Sequence, residues 1–329
     1  GRLTHRENGL YTLKLKEPMR RFILRRFAFA LVSIITATFA VFMLSRLAGD
    51  PLLLYANSGY GITAEGEAAL RKRLGLDRPV PVQYALWLGR TLKGDMGETI
   101  LDRKPVSRIV TQRLPSTIHL GGTAFLLSFM VGIPLGILSA VWRGSFGDYI
   151  GRFLALLGQA VPSFWLGLVL IMLFAVQWRL FPPALRGDGI WDVKHLVLPT
   201  ITLAAGGFAF YMRITRAAML EVLDSEYVRL ARAKGVSNNM VIWKHAFKNA
   251  VIQPLTGATL GVVGLLNGTV LVETIFAWPG MGQMAITAVN NNDFPLLQGA
   301  VFFFTILIVA TTFVTDLLYA YIDPRIRYD

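Results

Sequence analysis

The sequence predicts an all-α integral membrane protein: six transmembrane helices, a small helical loop domain outside and a helical elbow inside. Three observations predict it. First, the 329-residue chain is 54% hydrophobic and only 16% charged, whereas soluble domains carry about 25% charged residues. Second, six runs contain no Asp, Glu, Lys or Arg: Phe27–Ser45, Leu114–Trp142, Phe153–Trp178, Leu196–Met212, Ala250–Val272 and Phe294–Thr315. Crossing a bilayer core of about 30 Å takes about 20 apolar residues, and these runs are 17 to 29 residues long. The period-two alternation of a transmembrane β-barrel is absent. Third, the cations are asymmetric. With the N-terminus in the cytoplasm, inner segments 1–26, 142–152, 213–250 and 325–327 hold 19 of the 33 Lys and Arg. The short outer loops 178–195 and 276–298 hold 3 and 0. The outer loop 46–116 holds 11, but loops beyond about 60 residues escape the positive-inside rule. The net charge of +13 therefore reports orientation, and a nucleic-acid partner is not expected.

Each element follows in order. Residues 1–26 form a cytoplasmic tail, without clear periodicity over 1–18. Residues 27–47 form the first transmembrane helix. It follows Arg20, Arg21, Arg25 and Arg26 and is too long for the apolar part of a cleaved signal peptide, so it reads as an uncleaved anchor. Residues 48–113 form the outer helical loop. Thr63 is placed to cap a first helix and Gly75 to end it, and Pro79 and Pro81 separate a second. There Val82, Ala85, Leu86 and Leu92 can share a face. These helices either pack on the membrane domain or dock an outside partner. Residues 114–322 form a five-helix core that includes the inner loop 213–250, and 323–329 form a cytoplasmic tail. Pro134, Pro162, Pro199, Pro254 and the pair Gly206–Gly207 fall within spans, where neighbours or water must satisfy the freed backbone groups.

No catalytic constellation is present. There are no cysteines, so disulfides and thiolate metal sites are excluded. His5, His119, His195 and His245 are scattered and form no zinc motif. No G-x-S-x-G elbow occurs. In GRTLKGD, Gly89–Asp95, an aspartate stands where a phosphate loop needs lysine. Near the inner interface, Asp316 is expected to pair with Arg216 or Arg213 rather than hold an ion. Glu273, just past the fifth span, faces either a water-filled outer cavity or the headgroups.

The loop SEYVRLARAKGVSNNMVIWKHAFKNA, 225–250, interrupts two apolar runs. Tyr227, Leu230, Ala231 and Lys234 follow i, i+3, i+4, i+7 spacing, with Arg229 and Arg232 opposite. Asp224 or Ser225 can cap this helix, Gly235 can end it in a left-handed turn, and Ser237 can cap the next. The elbow is either an interfacial helix pair on lipid phosphates or a rigid knob for a soluble partner.

The stretch EYVRLARAKG, 226–235, resembles the cytoplasmic EAA-type loop of binding-protein-dependent ABC importer permeases, and in particular the dipeptide/oligopeptide/nickel permease family. Arg229 stands where the general motif has Glu, while Ala231 and Gly235 fit it. The likeness continues in LRKRLGLDRPVPVQYALWLGRTLKGDMG (70–97), RLPSTIHLGGTAFLLSFMVGIPLGILSAVWRGS (113–145), VPSFWLGLVLIMLFAV (161–176), VETIFAWPGMGQ (272–283) and DLLYAYIDPRIRY (316–328). It implies a multi-pass subunit of the bacterial inner membrane, with both termini cytoplasmic, forming half of a pathway for short peptides. Nickel, glutathione or another modified peptide is the alternative cargo. A stand-alone channel, a secondary transporter or a membrane enzyme are readings from other classes. The resemblance also implies a second homologous permease subunit, two cytoplasmic ATPase subunits and an outer solute-binding protein. ATP and Mg would sit on the ATPases, with no cofactor on this chain. Glu226, Tyr227, Val228, Arg229, Leu230, Ala231, Arg232, Ala233, Lys234 and Gly235 would form the coupling helix. Phe208, Tyr211 and Asn267 would line the pathway between the fourth and fifth spans. Trp278–Gln283 would shape an outer gate or form a tight turn.

Overall fold

A computed structural model describes residues 7–47, 71–72, 75–187, 189 and 192–322, with side chains described outside 7–20, 259–260, 263, 265–267 and 319–322. Among the described residues every regular element is a helix, apart from one isolated bridge between Glu98 and Pro105. The helices are α1 (Glu7–Leu47), α2 (Val80–Thr91), α3 (Val106–Val141), α4 (Phe146–Ala160) and α5 (Ser163–Leu170), which a π-helical segment Ile171–Gln177 extends. They continue as α6 (Val193–Leu223), α7 (Glu226–Ala233) and α8, which runs from Asn238–Met240 through π-helical Val241–Phe247 to Lys248–Ala250. The last three are α9 (Ile252–Ile275), α10 (Met281–Asn290) and α11 (Phe294–Ile322).

Among the described residues, Arg21–Leu47 of α1, all of α3, all of α6 and Phe294–Leu318 of α11 are long and apolar enough to cross a membrane. The pair α4–α5 makes a fifth candidate, but it is bent by 108°, where the sequence predicted one run over Phe153–Trp178. The cause is Pro162. Proline pushes the preceding residue out of the helical region, and Val161 is extended at φ −81°, ψ 123°. Pro134 and Pro199 instead sit inside the continuous helices α3 and α6. Pro254 falls in the first turn of α9, where its missing N–H costs no helical bond. The first helix also begins at Glu7, well before the expected Phe27.

The centre of the bundle is the long seam between α3 and α6. Ala124, Ser128, Gly132, Gly136 and Ala140 recur every four residues along α3 and are all buried. They form a ridge of small residues that lets two backbones approach closely. A Cβ on Gly132 would meet the Tyr211 side chain at 2.8 Å, and one on Gly136 would meet the Met212 carbonyl oxygen at 2.7 Å. The Ser128 hydroxyl crosses the seam to donate to the Ala204 carbonyl at 2.9 Å. Helix α9 packs against both partners, and α11 carries α1 on its outer flank.

In the loop between the first two spans, the face expected of the second helix is the exposed one. Gly75 does take a left-handed turn at φ 68°, as predicted, whereas Thr63 lies outside the described residues. In α2, however, Val82, Ala85, Leu86 and Leu92 are exposed, and Gln83, Tyr84, Trp87 and Thr91 are buried. Two aromatics outweigh smaller apolar side chains in choosing the buried face. Tyr84 and Trp87 pack on Phe42, and Trp87 meets Phe302 edge-on. The Tyr84 hydroxyl donates to the Ile35 carbonyl at 3.2 Å and lies 2.9 Å from that of Thr38.

Gly136→Leu forces a branched side chain into the α3–α6 seam. Overpacking of this kind costs about 1–3 kcal/mol, so the purified variant is expected to unfold at lower temperature in a detergent thermal-shift assay. Gly89→Ala, where a Cβ meets nothing within 4 Å, is the control expected to stay near wild type.

Candidate functional site

The predicted elbow stands at the end of a long helix. Helix α6 runs on to Leu223, beyond the predicted run ending at Met212. Its 31 residues span about 46 Å at 1.5 Å each, more than a bilayer core of about 30 Å. Only Asp224 and Ser225 separate it from α7. Ser225 takes the N-cap position, but its hydroxyl donates back to the Val222 carbonyl instead of capping. Gly235 closes α7 at φ 76°. There its N–H donates to the Arg232 carbonyl and that of Val236 to the Ala231 carbonyl.

Of the four residues placed on one face of α7, Ala231 alone is buried. Val228 and Ala231 point inward and α7 packs on the π-helical part of α8. Tyr227 (45% exposed) and Leu230 (56%) point out, as do Glu226, Arg229, Arg232, Ala233 and Lys234. A seat beside buried Val241 and Ile242 takes a valine and an alanine, which leaves the larger side chains outside. Met240 (48%) and Trp243 (54%) extend the outward apolar surface. Arg229 bonds Glu226 on its own helix at 2.9 Å, both side chains exposed.

A cavity of about 570 Å³ opens where α4–α5 bends around α6 and α9, lined by Gly158, Gln159, Pro162, Thr202, Phe210 and Gly261 among others. Its aromatic side chain is Phe210, not the predicted Phe208 or Tyr211. Phe208 packs on Ala155, Ala209 and Met212. Tyr211 is fully buried against Phe125, Phe129 and Phe210, because α3's ridge draws it into the seam. Asn267 lies on α9, but its side chain is outside the described residues.

The charges near the inner interface also pair differently. Asp316 meets Arg26 at 3.1 Å, because α1 runs beside α11. Arg216 grips Asp148 with two nitrogens, Nε at 3.0 Å and Nη2 at 3.1 Å. Asp148 is buried and also accepts from the Ser139 hydroxyl at 2.5 Å and the Gly144 N–H at 3.0 Å. It therefore ties the inner ends of α3, α4 and α6. The sequence carries a sign of it: Ser145 and Asp148 form a capping-box pattern, and the Ser145 hydroxyl accepts from the Asp148 N–H.

On the outer side Glu273 is fully buried, not exposed to cavity or headgroups. It accepts from the Thr117 hydroxyl and the Gly282 N–H, each at 2.6 Å, and the Gln283 N–H at 3.1 Å. Trp278 is buried too, its indole N–H on the Ser116 carbonyl at 3.0 Å. A third buried carboxylate, Asp293, accepts from Leu296 N–H at the start of α11 and from Ile100 N–H. Burial pushes its carboxyl above the usual aspartate value, against the downward pull of those N–H groups.

Among the described residues the chain is a helical bundle with membrane-length apolar helices and a groove lined by small residues, and its relatives place it among membrane transport components. The chain belongs to the family described as binding-protein-dependent transport system inner membrane component, matched over residues 132–328, with its N-terminal counterpart over 19–121. It is 37% identical over 338 residues to the dipeptide transport system permease protein DppB of Escherichia coli (strain K12), covering 94% of this chain and 99% of that one. It is 40% identical over 317 residues to a candidate peptide transport system permease protein of Brucella abortus (strain 2308), covering 94% and 100%. The fold resembles a chain of the inward-facing MetNI methionine ABC transporter, with a TM-score of 0.54, 17% identity, and 65% and 96% of the two chains covered.

The two inner carboxylates are expected to differ in weight. Removing one partner of a buried pair costs about 3–5 kcal/mol, whereas exposed pairs contribute about 0–1 kcal/mol. Asp148→Asn should therefore lower the thermal midpoint strongly, and Asp316→Asn, whose partner Arg26 is 44% exposed, only slightly.

Proposed function

We propose that this chain is one permease subunit of an ATP-driven, binding-protein-dependent importer of short peptides. It is a six-span protein of the bacterial inner membrane with both termini in the cytoplasm, α9 supplying the sixth span. A second, homologous permease completes the pathway, and two cytoplasmic ATPase subunits bind below. An outer solute-binding protein delivers cargo. ATP and Mg belong to the ATPases, and this chain binds no cofactor. The relatives named for dipeptide and peptide transport support peptides over nickel or glutathione as cargo.

The observation that carries this reading is the elbow. It presents Tyr227, Leu230, Met240 and Trp243 outward, on a lever joined by two residues to a helix long enough to span the membrane. Bulky apolar side chains held outward on short helices fit a groove on a soluble partner. Glu226 to Gly235 form the coupling helix, with Val228 and Ala231 fastening it to its own subunit. The pathway runs along the groove beside Phe210. Its walls, glycines and apolar side chains with Gln159, Ser163 and Thr202 among them, carry no fixed charge, which suits peptides of varied side chains.

Co-expression with the partner permease, ATPases and binding protein tests this. The assembly is expected to co-purify and to take up peptide only with ATP. Gly235→Pro cannot adopt φ 76°, since proline is fixed near −65°. It should leave the complex in the membrane and uncouple hydrolysis from uptake. Leu230→Ala with Trp243→Ala should reduce ATPase co-purification. Failure of the wild-type chain to retain any ATPase in any nucleotide state would defeat the reading.

A further inference from the structure

The motif VETIFAWPGMGQ is accounted for neither by the elbow nor by the groove. It contains the most completely enclosed carboxylate of the outer side. Glu273 lies in the last turn of α9, and the chain then turns back through Ala277, whose φ is 46°, to start α10 at Met281. All the hydrogen bonds to Glu273 come from groups that donate: one hydroxyl and two backbone N–H groups. The two N–H groups belong to the first turn of α10, whose free donors and positive dipole end favour an anion. Thr117 completes the joint. Its hydroxyl donates to Glu273 and accepts from the Met281 N–H at 2.8 Å, so one side chain of α3 touches both other helices. A Cβ on Gly280 would fall on the Glu273 carboxylate, and one on Gly282 on the α9 backbone at Val270. Glycine at both positions is therefore a condition for the carboxylate to fit.

From this geometry we infer that Glu273 is the positioning residue of an outer gate: it fastens α10 to α3 and α9 so that the three move as one body. The inference rests on the importer reading, because it assigns a part in alternating access. Were α10 to swing away alone, Glu273 would lose two of its three donors, Thr117 would lose one, and three N–H groups would lose their acceptors inside the protein, which buried polar groups resist strongly. The outer end therefore opens by displacement of the whole α3–α9–α10 unit. The arm that carries the motion is α3, which holds Thr117 near its outer end and Ser139, bonded to Asp148, near its inner end.

The absence of native cysteines makes a clean test possible. Arg113 on α3 donates to Gln283 on α10 at 3.2 Å, so cysteines at these two positions straddle the joint. In the complete complex, a short bifunctional thiol reagent should link them with equal yield in nucleotide-free and nucleotide-trapped states. Peptide imported per ATP hydrolysed should fall about tenfold or more in Glu273→Gln, since the amide loses the charge-assisted bonds. Thr117→Val, of similar size, should reduce the same ratio, and Thr117→Ser, which keeps the hydroxyl, should restore it. A merely structural residue would lower the amount of complex without changing this ratio. Where Glu273→Gln does not assemble, the Thr117 pair and the cross-link decide. A cross-link that forms in one state only, or wild-type ratios in Thr117→Val, overturns the inference. If the wild-type complex shows no ATP-driven uptake, it is the importer reading that fails, whatever the cross-link yields.

Discussion

The structure depends on the close approach of α3 and α6. In a bilayer, burying apolar side chains gives little drive for helices to associate, because lipid tails are as apolar as leucine. Contact area and hydrogen bonds must hold them. The four-residue ridge Ala124, Ser128, Gly132, Gly136 and Ala140 supplies that area, and Ser128 supplies a bond across the seam. The same seam sets the place of Tyr211, whose Cβ lies against Gly132 while its hydroxyl sits over Gly261 of α9. Three helices are thereby keyed together by two glycines and one tyrosine.

Polar groups obey a stricter rule. A carboxylate cannot be left unpaired where no water reaches it, and the described residues show three buried solutions. Asp148 is met by Arg216, a serine and an N–H. Glu273 is met by a threonine and two N–H groups of another helix. Asp293 is met by N–H groups from α11 and from the segment before α3. Each joins elements distant in sequence, and each stands near the end of a span. Such residues within spans often mark ion pathways, but a carboxylate whose lone pairs are filled by fixed donors is a fastener.

Much of this was legible in the sequence because it follows from composition. Charge-free runs located the long helices, and glycine and proline marked Gly75, Pro162 and Gly235 as breaks. The elbow's existence followed from a polar, basic stretch between two apolar runs and from Gly235, not from the serine caps, which make no capping bonds. What was not legible was which side of each element faces inward. In α2 and α7 the apolar residues are too few and too evenly spread for spacing to choose a face. Tyr84 and Trp87 in one are selected by neighbours far along the chain, and Val228 and Ala231 in the other by the π-helical segment that follows Gly235. The partners of Asp316 and Arg216 were misassigned for the same reason, since proximity to an interface does not say which helix stands alongside. Glu273 was visible as an acid beside a span. Its burial becomes readable only once Gly280 and Gly282 are seen as the space it occupies.

Stiffness and looseness are unevenly shared in this bundle, and that division bears on how it can move. Along α3, Thr117 and Ser139 are 22 residues apart, about 33 Å at 1.5 Å per residue, close to the bilayer core of about 30 Å. Both ends are fastened by buried carboxylates, so α3 can act as a strut between the two membrane faces. The groove side is built in the opposite way. Gly158, Gly206, Gly207, Gly261, Gly264 and Gly268 line it, and the bend at Pro162 leaves α4–α5 without a continuous helical ladder there. Small residues make a surface that can slide or part at little cost in lost contact, whereas the fastened ends cannot. In the proposed importer, force entering at α7 would pass through two residues into α6, and from Arg216 through Asp148 into α3. In the importer proposed above, displacement is thus transmitted along the strut and released at the groove, where the walls that part are those that cargo must pass.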